Sequence, residues 1–455
     1  MAAVRSRGAF VTKRIALGIP CLLRGGTEVQ TLQFVKALVG PKLGRSESGS
    51  NIEKVPVPEV LVVCYFESDP GVVEEFYAAG AKVNLLNLDR TISPWVFVQT
   101  ATKVFRNVRP DIIHIQYMAP GFLAVIAAWL SATGRVIATV HQPWTRLHHG
   151  YAAKGLLRSA ALLCKRFTCV SEAAERSWFG SSSLFSSDSC VSHAGHHKRR
   201  CHVTIHNAVD VTEVDRILKD SDVTSLRRSL GLEGCVVVGA VARLSHIKGI
   251  DVLVGAFATV KNVCAADGLK GAADVSPSRQ GVGRNRIVLV IVGDGEEKDG
   301  LQRQAASMGL AGRDLGGAAL DGQYDEALRE VDVLWLGRRS WEESIKVMST
   351  FDICVVPSRF EGFGLTAAEA MVCGKPVLAA DEGGLPEVVG MDGLAGVLFP
   401  TENIQELTAA LLDLVNSENK RHRVGTEARC RAVRRFGLDR LRESVWEIYG
   451  EANTP

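Results

Sequence analysis

Phe351-Asp-Ile-Cys-Val-Val-Pro357-Ser358-Arg359-Phe360-Glu361-Gly362-Phe363-Gly364-Leu365-Thr366-Ala-Ala-Glu369-Ala370-Met371 holds a complete strand-loop-helix unit. A short apolar run ends at Pro357-Ser358, a glycine-rich loop follows, and a helix runs through Met371 until Gly374 and Pro376 stop it. A continuous apolar run suits a strand buried on both faces, as in a parallel sheet. Glu361 falls in the loop and Glu369 about one turn into the helix. A carboxylate accepts hydrogen bonds from paired sugar hydroxyls. The amides of Gly362, Phe363, Gly364 and Leu365 would face an anion at the helix start. Thr366-Ala-Ala-Glu369 also has the spacing of a capping box, so Glu369 has a second reading as a cap.

Outward from this unit, similar runs recur. The first half offers strands at Ile15–Ile19, Val60–Phe66, Val83–Leu86, Ile112–Ile115, Val136–Val140 and Val203–Ile205. The second offers Val236–Val241, Ile287–Val292, Val333–Leu336, Ile353–Val356, Val377–Ala379 and Val397–Phe399. Helical spacing fills the gaps, as in Val29, Leu32, Phe34, Val35 and Leu38. Strands alternating with helices predict an α/β chain of doubly wound parallel sheets. The chain has 455 residues, which at roughly 150 per domain predicts about two to three domains. A polar link and charged stretch near 207–232 separates two such series. The expected division is an N-terminal domain over 1–207 and a C-terminal domain over 208–434, with a helix over 435–455. Three segments read as loop insertions: 180–201, rich in Ser and His, the Gly/Ala/Ser-rich 265–286, and 311–330.

Charge and composition exclude several classes. Lys plus Arg is 53 and Asp plus Glu 50, leaving +3, without the basic excess of a nucleic-acid binder. The 46% apolar and 23% charged composition excludes a disordered or fibrous chain. No uninterrupted run of about 18 apolar residues predicts a spanning helix. The eleven cysteines contain no CxxC pair and read as free thiols in a reducing, cytoplasmic compartment. The basic start, with Arg5, Arg7, Lys13 and Arg14 before Ile15–Leu23, reads as the approach to a first buried strand or as a short organelle-targeting segment. No dinucleotide G-x-G-x-x-G follows a strand, and no Walker A motif occurs.

Two further loops carry chemistry. Gly25-Gly26 after the first strand lets the backbone approach a ligand, and Thr27 and Gln30 have capping-box spacing. Arg243 and Lys248, after strand 236–241 and before a helix, can converge on a diphosphate or stand as solvated cations. Gly293-Asp294-Gly295-Glu296 repeats the strand-then-glycine turn; an acidic triplet alone is weak evidence for metal. His193, His196, His197 and His202 read as a metal cluster or as a solvated loop. Residues 146–166, with Arg146, Lys154, Arg158, Lys165 and Arg166, read as an ordinary exposed helix or as a basic helix on an acidic membrane surface.

Taken together, Arg243 with Lys248-Gly249, Val292-Gly293-Asp294-Gly295, Leu336-Gly337, the Pro357–Met371 stretch, Gly374-Lys-Pro376-Val377 and Glu387 after Gly383-Gly384 resemble the C-terminal domain of the family-4 retaining glycosyltransferases. The match includes their E-x7-E motif at Glu361 and Glu369. It covers most of 232–415, and extends less fully to Gly25-Gly26 and Asp111-Ile-Ile-His114. The resemblance implies a GT-B fold: two facing Rossmann-like domains with an inter-domain cleft. It implies that Arg243 and Lys248 hold a diphosphate, that Glu361 and the amides of Gly362–Leu365 hold the transferred sugar, and that Glu369 holds the ribose. Gly25, Gly26 and Gly293 would approach the nucleotide, and the backbone at Arg338 would meet the base. It implies no metal and no cofactor; the donor is a nucleoside diphosphate sugar and the acceptor a sugar, lipid or other small molecule. It also implies that a helix near 435–450 crosses back to the first domain. Where relatives often carry His-x-His, this chain has His114-Ile-Gln116. His114 and His141 are candidates for the acceptor side, or hydrogen-bonded structural histidines. A nucleotide-sugar epimerase on the same fold and an inactive nucleotide-sugar-binding subunit are the alternatives.

Overall fold

The structure is a computed structural model that describes residues 14–40, 57–117, 122–185, 201–270, 286–318, 320 and 326–452. Two compact units divide the chain, one of residues 1–208 with 436–455 and the other of 209–435.

In the first unit the strands are β1 (Arg14–Ile19), β2 (Glu59–Cys64), β3 (Lys82–Leu85), β4 (Ile112–Tyr117), β5 (Arg135–Val140), β6 (Arg166–Cys169) and β7 (His202–Thr204). Between them run α1 (Gly26–Val39), α2 (Pro70–Ala78), α3 (Pro94–Val108), α4 (Phe122–Ser131), α5 (Arg146–Leu162) and α6 (Glu172–Phe179). The strands form one parallel sheet of order β3-β2-β1-β4-β5-β6-β7. Alternate residues of β1 serve opposite faces. Ile15, Leu17 and Ile19 join one core cluster with Phe34, Leu38 and Tyr449, while Ala16 joins another with Phe105, Phe167 and Trp178. This two-sided burial is what makes the strands read as unbroken apolar runs.

In the second unit α7 (Val211–Asp220) and α8 (Val223–Ser229) lead into β8 (Cys235–Val241), α9 (Ile250–Lys270), β9 (Arg286–Val292), α10 (Lys298–Ser307) and β10 (Gly312–Asp314). Then follow β11 (Val333–Trp335), α11 (Trp341–Ser349), β12 (Ile353–Val356), α12 (Leu365–Val372), β13 (Val377–Ala380), α13 (Leu385–Val389) and β14 (Gly396–Phe399). The helices α14 (Ile404–Val415) and α15 (Glu418–Phe436) close this unit, and α16 (Leu438–Ala452) belongs to the first. The second sheet is also parallel and seven-stranded, in the order β10-β11-β9-β8-β12-β13-β14.

Several local expectations are corrected. Two strands went unread: β6, whose Arg-Phe-Thr-Cys alternates polar and apolar residues, and β10, an edge strand exposed along its length. Segment 311–330 is therefore not one loop, since it contains β10 and a 3-10 turn at Glu326–Glu330. Residues 265–270 continue α9. Most of the other two insertions (186–200 and 271–285), with His193, His196 and His197, lies outside the described residues. His202 binds Glu175 instead, Nδ1 to Oε1 at 2.6 Å, and stacks on Phe179. No cluster able to hold a metal occurs among the described residues, and no described helix is long and apolar enough to cross a membrane. The ten described cysteines are free. Segment 146–166 is not one continuous basic helix. Gly150 breaks α5 at φ 63°, ψ 169°, and Lys165 and Arg166 lie beyond its end. Lys154 sits 4.1 Å over the Trp144 ring, and Arg158 donates to the Trp178 carbonyl.

Candidate functional site

In the second unit the strand order turns round between β8 and β12. The crevice beyond the carboxyl ends of two such strands is where doubly wound sheets bind ligands. The loop after β8 carries Lys248 on a 3-10 turn, His246–Lys248, closed by Gly249 at φ 64°. A Cβ at Gly249 would stand 2.0 Å from the Pro357 carbonyl oxygen, so only glycine lets the β12 loop pass this close. Arg359 fastens the two loops. Its amide donates to the Ile247 carbonyl, and its guanidinium to the His246 carbonyl, to both Asp251 oxygens (2.8 and 2.7 Å) and to Glu402.

Across this joint Lys248 Nζ donates to Glu361 Oε2 at 2.7 Å, and the Ser358 hydroxyl approaches the same oxygen at 3.3 Å. Both ionic side chains keep part of their surface open, 25% and 16%. Next to Glu361, α12 begins after Gly364, which adopts φ 104°, ψ 53°. The amides of its first turn have no carbonyl within the helix to receive them. Thus one ammonium, one carboxylate and a helix start lie together beyond β8 and β12.

Glu369 does not cap α12. No side chain caps this helix, and Glu369 Oε1 instead accepts from the Trp341 indole N–H at 2.8 Å. Desolvation pushes its carboxyl up to about 7, against the opposing pull of the indole. Trp341 was missed because its partner lies 28 residues away on another helix. Arg243 is not drawn to Lys248 or Glu361. Its guanidinium donates to Glu296 Oε2 at 3.0 Å, and the Arg243 side chain is 73% exposed. Its own backbone amide, and then Arg243, hold the Glu296 carboxyl below the usual range. Gly293, at φ 139°, donates to the Gly337 carbonyl and presses against Ala242, where a Cβ would stand 1.8 Å from the carbonyl oxygen. Arg338 is exposed, while Arg339 is tied to the carbonyls of Leu336, Ala318 and Gly316.

In the first unit the strand order turns between β1 and β4. Gly25 and Gly26 follow β1 and open α1. The expected capping box is absent, because Thr27 lies inside the helix and Gln30 Oε1 accepts from the Ala208 amide at 3.1 Å. Glu28, which the sequence reading overlooked, is buried against this loop and accepts from the Cys21 thiol at 3.2 Å. Burial raises the Glu28 carboxyl and pushes the Cys21 thiol up to about 12.

His114 is 2% exposed, with both ring nitrogens engaged: Nδ1 by the Tyr449 hydroxyl (2.8 Å) and Nε2 by Thr139 (2.6 Å). Burial pushes it down to about 3. It is arranged as a structural histidine joining α16 to the sheet. His141, just past β5, meets Gln116 Oε1 through Nε2 at 2.8 Å and is also held near 3 by burial.

Two parallel Rossmann-like sheets with this order of strands and helices define the GT-B class. The solved structures agree on the fold. The Anabaena protein Alr3699/HepE, crystallised with UDP, superposes with a TM-score of 0.67 over 95% of this chain and 98% of its own, at 20% identity. Residues 316–431 match the model described as glycosyl transferases group 1, and 58–180 match glycosyltransferase family 4. The chain belongs to the family-4 GT-B glycosyltransferases. Among curated relatives, a D-inositol 3-phosphate glycosyltransferase of Saccharomonospora viridis is 31% identical over 227 residues, 50% of this chain and 45% of its own length. An MMP alpha-(1->4)-mannosyltransferase of Mycolicibacterium hassiacum is 37% identical over 111 residues, 24% of this chain and 27% of its own. The chain thus spans less than half the length of these curated relatives.

Proposed function

We propose that this chain moves a sugar from a nucleoside diphosphate sugar to an acceptor hydroxyl, with retention at the anomeric carbon and without a metal. The observation that carries the reading is the Lys248–Glu361 pair at the strand turn-round of the second unit, beside the start of α12. Ligand-free, the two side chains neutralise each other. A diphosphate offers Lys248 a stronger partner, and Glu361 is then released to accept hydroxyls of the transferred sugar. As the bond from the anomeric carbon to the diphosphate breaks, its electron pair stays on the leaving phosphate oxygen. Lys248 and the α12 amides stabilise that charge from fixed positions, and Arg243 joins them once turned from Glu296. The new bond forms from the acceptor oxygen to the anomeric carbon, and the acceptor's hydroxyl proton passes to the leaving phosphate oxygen in the same step. The ribose hydroxyls fall to Glu369, whose second oxygen is not engaged by Trp341. The base falls to the backbone near Gly337 and Arg338.

The names of relatives support the class of reaction, and the UDP bound by the Anabaena protein supports a nucleotide donor. The test is product analysis by NMR after incubation with nucleoside diphosphate sugars and a panel of sugar, polyol and lipid acceptors. Transfer with retained configuration supports the proposal. Donor epimerisation without acceptor, or binding without transfer across the panel, replaces it.

A further inference from the structure

At the amino ends of β4 and β5 an open hollow of about 670 Å³ lies in the first unit, and nothing in the reaction above uses it. A strand of this length spans roughly 20 Å, so the hollow is separate from the crevice at the carboxyl ends of the same strands. Its wall forms where α4 stops. The chain leaves α4 through Ala132, whose φ of 52° is a strained choice for a residue with a Cβ. Gly134 then passes so near Pro110 that a Cβ would stand 2.6 Å from the Pro110 carbonyl oxygen. This turn sets Arg135 beside Asp111: the Arg135 amide donates to the Asp111 carbonyl at 3.0 Å. The Arg14 amide holds the Asp111 carboxylate at 2.9 Å, and the Thr133 hydroxyl lies 3.1 Å from that of Ser131. Trp129 and Leu130, from the last turn of α4, line the same hollow. They remain 53% and 38% exposed, while Ala124, Val125, Ala127 and Ala128 of that helix are buried.

We infer that this hollow is a second, non-catalytic saccharide site, in which the Trp129 indole stacks on the apolar face of a neutral sugar ring while Asp111, Thr133 and Arg135 bond its hydroxyls. The lining selects this chemistry. A carboxylate accepts from hydroxyls, a guanidinium donates to them, and the threonine hydroxyl does both. Asp111 and Arg135 have opposite charges, so neither an anion nor a cation gains over a neutral ligand. The broad indole face suits the C–H groups on one side of a sugar ring. An apolar peptide would cover Trp129 and Leu130 but leave the charged pair unmatched. The volume falls within the roughly 300–1,000 Å³ that small ligands occupy. All of these groups belong to the first unit, and the site forms or breaks no bond, so it stands apart from the proposed transfer.

The experiment uses the full chain labelled with 15N in tryptophan, with the Trp129 indole signal assigned by its loss in Trp129→Phe. It is titrated with neutral hexasaccharides of glucose, mannose, galactose and N-acetylglucosamine, and with a hexauronic acid as the charged control. At least one neutral member should shift the Trp129 signal to saturation, and the uronic acid should bind more weakly. By saturation-transfer NMR, Trp129→Ala should bind that member at least about tenfold more weakly, with Trp129→Phe between it and wild type. Arg135→Gln should weaken binding about threefold or more. Lys248→Ala should bind as wild type does, which separates this hollow from the donor site. Four results would overturn the inference: no saturable shift with any neutral member, equal affinity in Trp129→Ala, loss of binding in Lys248→Ala, or a Trp129 signal that moves with protein concentration alone. The last would mark a contact between two copies of the chain. The titration requires no turnover, so it fails or succeeds apart from the glycosyltransferase reading.

Discussion

Lys248 and Glu361 stand 113 residues apart in the chain and 2.7 Å apart in space. The closeness is imposed by the sheet: β8 and β12 are hydrogen-bonded neighbours, so the loops at their carboxyl ends meet. In the proposed reaction Lys248→Ala removes the ammonium that would stabilise the leaving group. The transfer rate at saturating substrate should fall about a hundredfold or more, with far-UV circular dichroism unchanged. An unaltered rate on the true substrate pair would remove Lys248 from the chemistry.

Arg359 fixes the same joint from below. Arg359→Met strips Asp251 of both its guanidinium bonds and frees the His246 carbonyl. The expected loss is roughly 1–3 kcal/mol in denaturant unfolding, together with weaker donor binding. Arg359→Lys should recover only part, because an ammonium does not reproduce the two-pronged contact. Equal donor affinity in all three proteins would show that the loops hold their places without the clamp.

The Glu369 carboxyl sits at about 7 in the folded chain against an ordinary 4.5. The folded state therefore holds this proton more tightly than the unfolded one. Its contribution to stability is fully present below about 4.5 and is lost as pH rises through 7. Between those values the melting temperature of wild type should drop relative to Glu369→Gln, and the two curves should run parallel above that range. Trp341→Phe removes a donor that favours the charged carboxylate, so the drop should move to higher pH. Differential scanning fluorimetry across pH measures both.

His114 titrates the other way. Its folded value is about 3 against 6.5, so its contribution is present above 6.5 and lost as pH falls toward 3. Tyr449→Phe leaves His114 Nδ1 without its partner and should cost about 1–2 kcal/mol. Chemical unfolding at pH 7 reads this loss. A stability equal to wild type would show that α16 is held by apolar packing alone.

What the sequence disclosed follows from physics that acts locally. The runs Val236–Val241 and Ile353–Val356 are unbroken because both faces of the second sheet are covered. Lys248 and Glu361 could be singled out because a strand-to-glycine turn has few forms. Strand β10 escaped because it is an exposed edge with no apolar signature. The capping boxes at Thr27 and Thr366 misled because spacing alone cannot show where a helix begins. Glycines set those starts, which freed Gln30 to hold Ala208 and Glu369 to meet Trp341. Gln116 looked like a departure from its relatives until β4 and β5 were laid side by side with His141 next to it. Each missed relationship joins residues from different elements, and only the folded sheet makes them neighbours.

The central claim is that Lys248 and Glu361 grip a diphosphate-linked sugar. Isothermal titration of wild type and Lys248→Ala with a panel of nucleoside diphosphate sugars tests it most directly. The account predicts that one member binds wild type and that its affinity falls at least about tenfold in the variant, as loss of a charge-assisted contact requires. Equal affinity in the two proteins, or no binding of any member to folded wild type, would contradict it.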